Sequence, residues 1–310
     1  MENTRAKTTR NSLILLLTAT IWGMAFVSQS KGMDYMHPFT FNGVRSLIGA
    51  AGILVYILIS RKIAGDKVAK LDWKLNVKAG LLCGIFLTIA STLQQFGIKY
   101  TSVGKAGFIT TLYIIFVPMF GIFLKKKVAP VVWAAAGMAA VGMYLLCMTE
   151  SLRLGAGDIM VFLCAIAFAI QIMTVDHYAA SIDGAVVSCI QFTVCGVVCC
   201  IGALIWGQPT FGQIQEGLGA LLYAGVLSCG VGYTLQIVGQ KGLNPTVAAL
   251  IMSLESVIAT ISGWIAYKIG FLSTDQTLTP RQIAGCVIVF AAVILVQLPP
   301  EWFCFGKKNA

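Results

Sequence analysis

The sequence predicts an all-α integral membrane protein, with ten transmembrane helices arranged as two inverted five-helix repeats. Hydrophobic residues make up 58% of the 310 residues and charged residues only 11%. The mean hydropathy is +0.85. Apolar stretches of the length that crosses a bilayer follow one another along almost the whole chain. A soluble domain of this size would carry about twice as many charges.

Ten apolar stretches are predicted to cross the membrane, each with ends uncertain by about two to four residues. In chain order they are 12–30, 40–60, 76–97, 103–123, 131–148, 157–177, 185–206, 217–239, 245–268 and 281–298. Asp176 and His177 intrude at the end of the sixth stretch, so an interpretation with eight or nine spans stays open. The predicted organisation is an N-terminal tail at 1–11, repeats at 12–150 and 155–298, and a C-terminal tail at 299–310.

The connectors between these stretches hold the residues that end helices. In order they contain His37-Pro38, Gly65-Asp66, Ala129-Pro130, Gly155-Ala156-Gly157, Asp183-Gly184, Gln208-Pro209, Asn244-Pro245 and Thr279-Pro280. The first stretch is longer than the apolar core of a signal peptide, and no small-x-small cleavage site follows it. We therefore predict an uncleaved first helix.

The distribution of Lys and Arg predicts that both termini are cytoplasmic. With the N-terminus inside, 15 of the 22 basic residues lie on the cytoplasmic side and six on the other, while Arg45 lies within a span. The net charge of +10 is then a topology signal. Since no soluble domain presents this charge to nucleic acid, the expected partners are the lipid bilayer and a small-molecule solute, with the protein a monomer or homodimer.

The sequence contains no pattern typical of an enzyme or a cofactor site. It has no Walker-type phosphate loop, no Gly-x-Ser-x-Gly and no His-Glu-x-x-His. The ten cysteines lie mostly within spans, and their spacing does not form a metal-ligand set. We therefore expect no catalysis, no cofactor and no metal, with the cysteines packing as small apolar residues.

The two halves of the chain contain corresponding segments, which predicts an internal repeat. The segment 105–118 corresponds to 247–260, and the residues from Gln94 correspond to those from Gln236. With five spans in each half, the second copy enters the membrane from the opposite side. Inverted repeats are typical of transporters, whose site lies near the bilayer midplane between the halves.

Short motifs occur in a fixed order from about residue 12 to residue 298. They are TIWGMAF at 20–26, Pro38, Arg45, LQQFGIKYTS at 93–102, AGFIT at 106–110, Gly157-Asp158 and AALIMSLE at 248–255. Together they resemble the EamA-like family of the drug/metabolite transporter superfamily. The resemblance implies a ten-helix secondary transporter of the bacterial plasma membrane, with a cavity between its halves. Members mostly export metabolites, amino acids or drugs.

Glu255 is the most informative single residue, because it lies about ten residues into the ninth span. A carboxylate at that depth has to be partnered, protonated or in contact with water. We consider two roles equally: a titrating or solute-binding group that couples transport to protons, and a glutamate that holds helices together through a hydrogen bond.

A small and polar helix face is predicted on the third span, where Gly84, Thr88, Ser91 and Gln95 share one side. Such a face either lines a cavity or lets helices approach closely. We favour the cavity, because Gln95 is larger than packing requires. Arg45 in the second span either binds an anionic group or, as we favour, has a structural role, in which it snorkels or pairs near a helix end.

Aromatic and amide side chains three or four residues apart on other spans predict one converging site. The predicted solute path comprises Trp22, Phe26, Ser91, Gln95, Thr110, Tyr113, Gln171, Tyr233, Gln236 and Glu255. Such a lining would stack against and orient an organic solute. Alternatively, the aromatic rings form ordinary core and the amides bridge helices. Small residues crowd the eighth span, which predicts either a hinge or plain close packing.

The preferred function is therefore a secondary transporter, driven by a proton gradient or by exchange and acting as an exporter. A non-transporting membrane receptor or assembly subunit is the alternative. An intramembrane enzyme would need a second acidic or histidine side chain at membrane depth, and Glu255 is the one firmly placed there.

Overall fold

The computed structural model describes residues 2–64, 71–124, 130–147, 155–273 and 275–297, and its regular secondary structure is helical throughout. The predicted C-terminal tail at 299–310 and the connector Gly65-Asp66 lie outside the described residues. So do Met1, Ala129, and the final positions 148 and 298 of two predicted spans.

The described residues form ten helical stretches, numbered here α1 to α10. They are α1 (Glu2–Gly32), α2 (Pro38–Ala64), α3 (Trp73–Ile98), α4 (Val103–Thr111 and Tyr113–Phe123), α5 (Pro130–Cys147), α6 (Ala156–Tyr178), α7 (Gly184–Gly202, continued by the π-helical Ala203–Gly207), α8 (Leu218–Leu222, the π-helical Tyr223–Gly232, and Tyr233–Gln240), α9 (Pro245–Met252 and Leu254–Lys268) and α10 (Pro280–Gln297). A short helix, Phe211–Glu216, precedes α8.

Eight of these stretches are long and apolar enough to cross a membrane: α1 to α4 and α6 to α9. The apolar parts of α5 and α10, Pro130–Gly142 and Pro280–Leu295, are shorter. These two helices pack against each other so closely that a Cβ on Gly142 would lie 2.8 Å from the carbonyl oxygen of Gly285. The all-helical membrane architecture is thus observed with eight candidate spans in the described chain, and ten spans stay a prediction.

Helix α1 begins at Glu2, where the sequence predicted a tail at 1–11. The physical reason is that no glycine or proline occurs before Gly23, so nothing in the polar start of the chain ends the helix. The candidate span within it is Lys7–Gly32. The other predicted spans agree with the observed helices to within a few residues at each described end.

Polar side chains cap the helix starts at the connectors. Asp72 accepts a hydrogen bond from the backbone N–H of Leu75 at the start of α3. Ser102, Asp183 and Asn244 accept equivalent bonds at the starts of α4, α7 and α9. Each cap satisfies an amide that lacks a partner within its own helix, and so fixes where the helix begins.

Asp158 joins the start of α6 to the connector between α3 and α4. One of its carboxylate oxygens accepts from the Gly155 amide at 2.9 Å, so it caps α6 from the third helical position. Thr101 Oγ1 donates to it at 2.9 Å, and Lys105 Nζ lies 2.6 Å away. The carboxylate is almost fully buried, with 4% of its side chain exposed. This cluster ties the two halves of the chain together at one end.

We expect Asp158→Ala to lower the free energy of unfolding by about 2–4 kcal/mol, because it leaves the Gly155 amide, the Thr101 hydroxyl and the Lys105 ammonium without their acceptor. Asp34→Ala is the matched control, since the Lys31–Asp34 ion pair of 2.9 Å is exposed and contributes about 1 kcal/mol or less. The thermal unfolding midpoints of the purified proteins measure both. Equal shifts would contradict a special role of the Asp158 cluster.

The small residues of α8 coincide with its π-helical segment, Tyr223–Gly232. Gly225 packs on α2, where an added Cβ would lie 2.9 Å from the carbonyl oxygen of Arg45. Conversely, a Cβ added to Gly49 of α2 would lie 2.9 Å from the carbonyl oxygen of Gly225. The small residues therefore permit direct backbone contact between helices, and a hinge in α8 stays a prediction. π-helical turns in longer helices frequently occur at functional sites.

Helices α4 and α9 are each interrupted near their middle, at Leu112 and at Ser253. Hydroxyl groups satisfy backbone carbonyls at these breaks: Thr111 Oγ1 donates to Phe108 O at 2.8 Å, and Ser253 Oγ donates to Leu250 O at 2.7 Å. Such local bonds compete with the helical pattern and bend helices. The second segments then start in the interior of the bundle, with Tyr113 and Glu255 in their first turns.

Candidate functional site

A narrow cavity of about 30 Å³ lies in the interior of the bundle. Nine of the ten predicted solute-path residues line it: Trp22, Phe26, Ser91, Thr110, Tyr113, Gln171, Tyr233, Gln236 and Glu255. The lining that the prediction left out consists of Gln29, Arg45, Ser46, Leu87, Gln94, Phe168, Ile172, Phe192, Ser228 and Cys229. Helices from both halves of the chain thus contribute polar and aromatic groups to one site.

Gln95 is the predicted path residue that does not line the cavity. Its amide donates to the backbone oxygen of Gln29 at 3.1 Å and thereby joins α3 to α1. Gly84, on the same predicted face, packs against Val194 of α7. The helix face that lines the cavity is formed by Leu87, Ser91 and Gln94, so the predicted face is mostly a helix–helix contact.

Glu255 is hydrogen-bonded across the cavity wall. Tyr113 Oη donates to its Oε1 at 3.1 Å, which joins α4 of the first half to α9 of the second half. Both side chains are buried, Tyr113 at 2% exposed and Glu255 at 3%. Within the described residues the carboxyl therefore accepts one hydrogen bond, from Tyr113, and it also contacts the cavity, which is compatible with both roles considered for it.

Amide groups form the polar part of the lining. Gln171 of α6 and Gln236 of α8 form a reciprocal pair, with N···O distances of 3.5 and 3.2 Å. Gln94 Nε2 donates to Thr110 Oγ1 at 3.1 Å. These bonds hold the amides in place without using all of their donors and acceptors, so they retain capacity to bind a polar solute.

Aromatic rings form the other part of the lining. The rings of Trp22 and Tyr233 have centroids 4.5 Å apart, and Phe192 lies edge-on to Tyr233 at 4.9 Å. The indole Nε1 of Trp22 donates to the backbone oxygen of Ser228, within the π-helical segment of α8, at 3.4 Å. The first helix is thus linked directly to the irregular part of the eighth.

Six pairs of lining residues share one sequence separation between the two halves. Tyr113 and Glu255, which meet in a hydrogen bond, are 142 residues apart. The same separation relates five further pairs of lining residues: Phe26 and Phe168, Gln29 and Gln171, Leu87 and Cys229, Ser91 and Tyr233, and Gln94 and Gln236. This separation was the signal in the sequence that would have identified Gln29 and Gln94 as site residues.

Several buried polar atoms of this region have no hydrogen-bond partner in the described part of the chain. They include Gln29 Oε1 and Arg45 Nε, both from residues that line the cavity. A volume of about 30 Å³ holds one or two water molecules, whereas sites for organic ligands occupy about 300–1,000 Å³. The cavity in this conformation is therefore too narrow for an organic solute.

Hydrogen bonds connect the two halves at both ends of the bundle. At the end where α1 begins, Asn11 donates to Lys241 O at 2.8 Å and Asn76 accepts from the Asp183 amide at 2.9 Å. A wider cavity of about 630 Å³ opens at that end. At the other end, the Asp158 cluster makes the corresponding connection. Within the described ranges, no group of three His, Cys, Asp or Glu side chains is arranged to hold a metal ion.

Comparison with known proteins agrees with this architecture. A solved crystal structure matches with a TM-score of 0.71 and 16% sequence identity, over 93% of this chain and 96% of that chain, and this likeness concerns the fold. A protein of Archaeoglobus fulgidus named an uncharacterized transporter is 28% identical over 290 residues, which is 92% of this chain and 84% of that protein. The uncharacterized transporter YwfM of Bacillus subtilis is 24% identical over 94% of each chain.

The profile of the EamA-like transporter family matches the chain twice, at residues 10–148 and 155–298. The two matches together cover nearly the whole of it. The eight apolar helices agree with a protein that crosses the membrane several times. The chain is therefore a multi-pass membrane protein that belongs to the EamA-like transporter family.

Proposed function

We propose that the protein is a secondary transporter that exports small organic solutes through the central cavity. Two inverted five-helix repeats move against each other around the cavity, so that it opens alternately to each side of the membrane. A proton gradient or solute exchange drives the cycle, with Glu255 as the coupling residue. The protein works in a bacterial plasma membrane with both termini cytoplasmic, as a monomer or homodimer and without a cofactor.

One observation carries this proposal: aromatic and polar side chains from both halves line one interior cavity. Polar and ionisable groups at membrane depth are costly, and they mark substrate or ion pathways when they face an interior cavity. Packing alone would favour small residues, which let helix backbones approach each other. The export direction rests on the resemblance of the chain to its family.

The size of the cavity supports a cycle with an opened state. A volume of about 30 Å³ excludes an organic solute, so the helices have to separate before a solute enters. The breaks in α4 and α9 and the π-helical part of α8 lie beside the cavity, and these are the points where helices bend most easily. They are the elements that we expect to move.

We expect Ser91→Phe to abolish solute flux in proteoliposomes, because the phenyl ring fills the narrow cavity that Ser91 lines. The flux assay tests a broad panel of metabolites and drugs with purified protein and with protein-free vesicles. Ile89→Phe on the same helix is the matched control, since Ile89 is 46% exposed on the outside of the bundle. Its flux should match that of the unmodified protein.

Size-exclusion chromatography and thermal unfolding establish that the Ser91→Phe protein is folded. Normal flux through a folded Ser91→Phe protein would show that the solute does not pass through this cavity. Absence of flux for every compound with the unmodified protein would contradict the transporter itself and favour a receptor or assembly role.

A further inference from the structure

The cavity contains a cationic side chain without an anionic partner from the protein. Arg45 of α2 lines the cavity and is 5% exposed. Neither of the two ion pairs in the described part of the chain includes it, and its Nε has no hydrogen-bond partner there. The guanidinium carbon lies 5.4 Å from the centre of the Phe41 ring.

A buried guanidinium group without an anionic partner is energetically unfavourable. Arginine remains protonated in proteins, and a buried charge without a partner is strongly destabilising. The contact with the Phe41 ring compensates for only part of the lost hydration. Glu255, the carboxyl group among the lining residues, accepts a hydrogen bond from Tyr113, and neither ion pair of the described residues joins it to Arg45. An anionic ligand within the cavity would supply the missing partner.

The second half of the chain shows that packing at this place does not require a charge. Arg45 is the eighth residue of α2, which starts at Pro38, and Gln191 is the eighth residue of α7, which starts at Gly184. Gln191 is buried, neutral and 3.5 Å from the amide of Gln171. Counted from the two helix starts, the eighth position is therefore a cation in the first half and a neutral amide in the second half.

We infer that Arg45 binds the carboxylate of a small organic acid, which makes this class the solute of the transporter. The inference rests on the function proposed above and names its substrate class. Guanidinium and carboxylate form two parallel N–H···O bonds in one plane, which fixes the orientation of the ligand. The uncharged part of the acid then contacts the phenyl rings of Phe26 and Phe168, which also line the cavity.

The charge of the site distinguishes a carboxylate from a phosphate ester. One carboxylate neutralises the single positive charge of Arg45. A phosphate monoester carries a charge of about −1.5 to −2 at neutral pH and would leave excess negative charge in the same cavity as Glu255. The site therefore favours a monocarboxylic acid.

The test measures uptake into proteoliposomes of the full-length protein. The probes are short-chain and aromatic monocarboxylic acids, each paired with the primary amide of the same carbon skeleton, together with phosphate monoesters and amines. We expect at least one carboxylate to be transported about 30-fold faster than its amide, after subtraction of protein-free vesicles. Arg45→Gln should reduce this flux by a similar factor, and Arg45→Lys should restore part of it.

Lys62→Gln is the matched control, because it removes one positive charge from the same helix at an exposed site that lines neither the central cavity nor the wider one. Its carboxylate flux should equal that of the unmodified protein. If Arg45→Gln does not fold, the ratio of carboxylate to amide flux in the unmodified protein decides alone.

Flux confined to amides, amines or phosphate esters would overturn the assignment of the carboxylate and leave the transporter function standing. Equal carboxylate flux in the unmodified protein and a folded Arg45→Gln protein would do the same. Absence of flux for every class would instead contradict the transporter function on which the inference rests.

Discussion

Glu255→Gln is expected to abolish solute accumulation driven by a pH gradient, while exchange of solute across the membrane continues. Glutamine has nearly the same size and shape, and its carbonyl oxygen can accept the hydrogen bond that Tyr113 donates at 3.1 Å. The glutamine side chain, however, cannot take up or release a proton. The charged and titratable groups that line the same cavity are Arg45, Tyr113, Tyr233 and Cys229, and the substitution leaves all of them in place.

The measurement compares two assays on the same proteoliposomes: accumulation under an imposed pH gradient, and exchange without a gradient. Glu216→Gln is the control, because Glu216 is exposed and lies outside the cavity. Gradient-driven accumulation that persists in Glu255→Gln would make Glu255 a structural residue. Loss of both modes in a folded protein would assign Glu255 to solute binding, without a separate coupling role.

Gly49→Ala is expected to destabilise the protein by about 1–3 kcal/mol and to reduce transport. The added methyl group would lie 2.7 Å from the Cβ of Cys229 and 2.9 Å from the carbonyl oxygen of Gly225, so it would force α2 and α8 apart. Cys229 and Arg45 both line the cavity, on these two helices. The change therefore alters the shape of the site as well as the packing.

Gly52→Ala is the matched control, three residues further along α2, where an added Cβ meets no atom within 4 Å. Alanine is a better helix former than glycine by about 0.5–1 kcal/mol, so this variant should be slightly more stable than the unmodified protein. Thermal unfolding midpoints should therefore shift in opposite directions. Shifts of the same sign and size would show that α2 and α8 are not in the close contact described.

The positions of the helices along the chain could be predicted from the sequence, because a helix that crosses a bilayer needs a long run of apolar residues. The ninth predicted span, 245–268, coincides with Pro245–Lys268, since Asn244-Pro245 supplies both the cap and a favourable first residue. The breaks at Leu112 and Ser253 were not predicted. They depend on hydroxyl groups bonding to nearby carbonyls, and threonines such as Thr18 and Thr88 form the same kind of bond within unbroken helices.

The types of side chain that line the candidate site could be predicted from the sequence, whereas the rotation of the helices that carry them could not. Aromatic and amide residues three or four apart indicated which spans contribute, and nine of the ten named residues line the cavity. The rotation of α3 could not be obtained from spacing, because Gln94 and Gln95 are both polar and only packing against α1 separates their roles. Arg45 was expected to snorkel or to pair near a helix end; the structure places it in the cavity lining, outside both ion pairs of the described residues.

The hydrogen bond between Tyr113 and Glu255 joins two residues that occupy equivalent positions in the two proposed repeats. In an isologous dimer, a residue that touches its own counterpart lies on the two-fold axis and meets an identical side chain. Two ionised glutamates there would repel each other, and two tyrosines would provide no carboxyl group. Two fused halves can diverge at this single axial position and place a donor opposite a carboxyl. A symmetric assembly of one half cannot form that unlike pair.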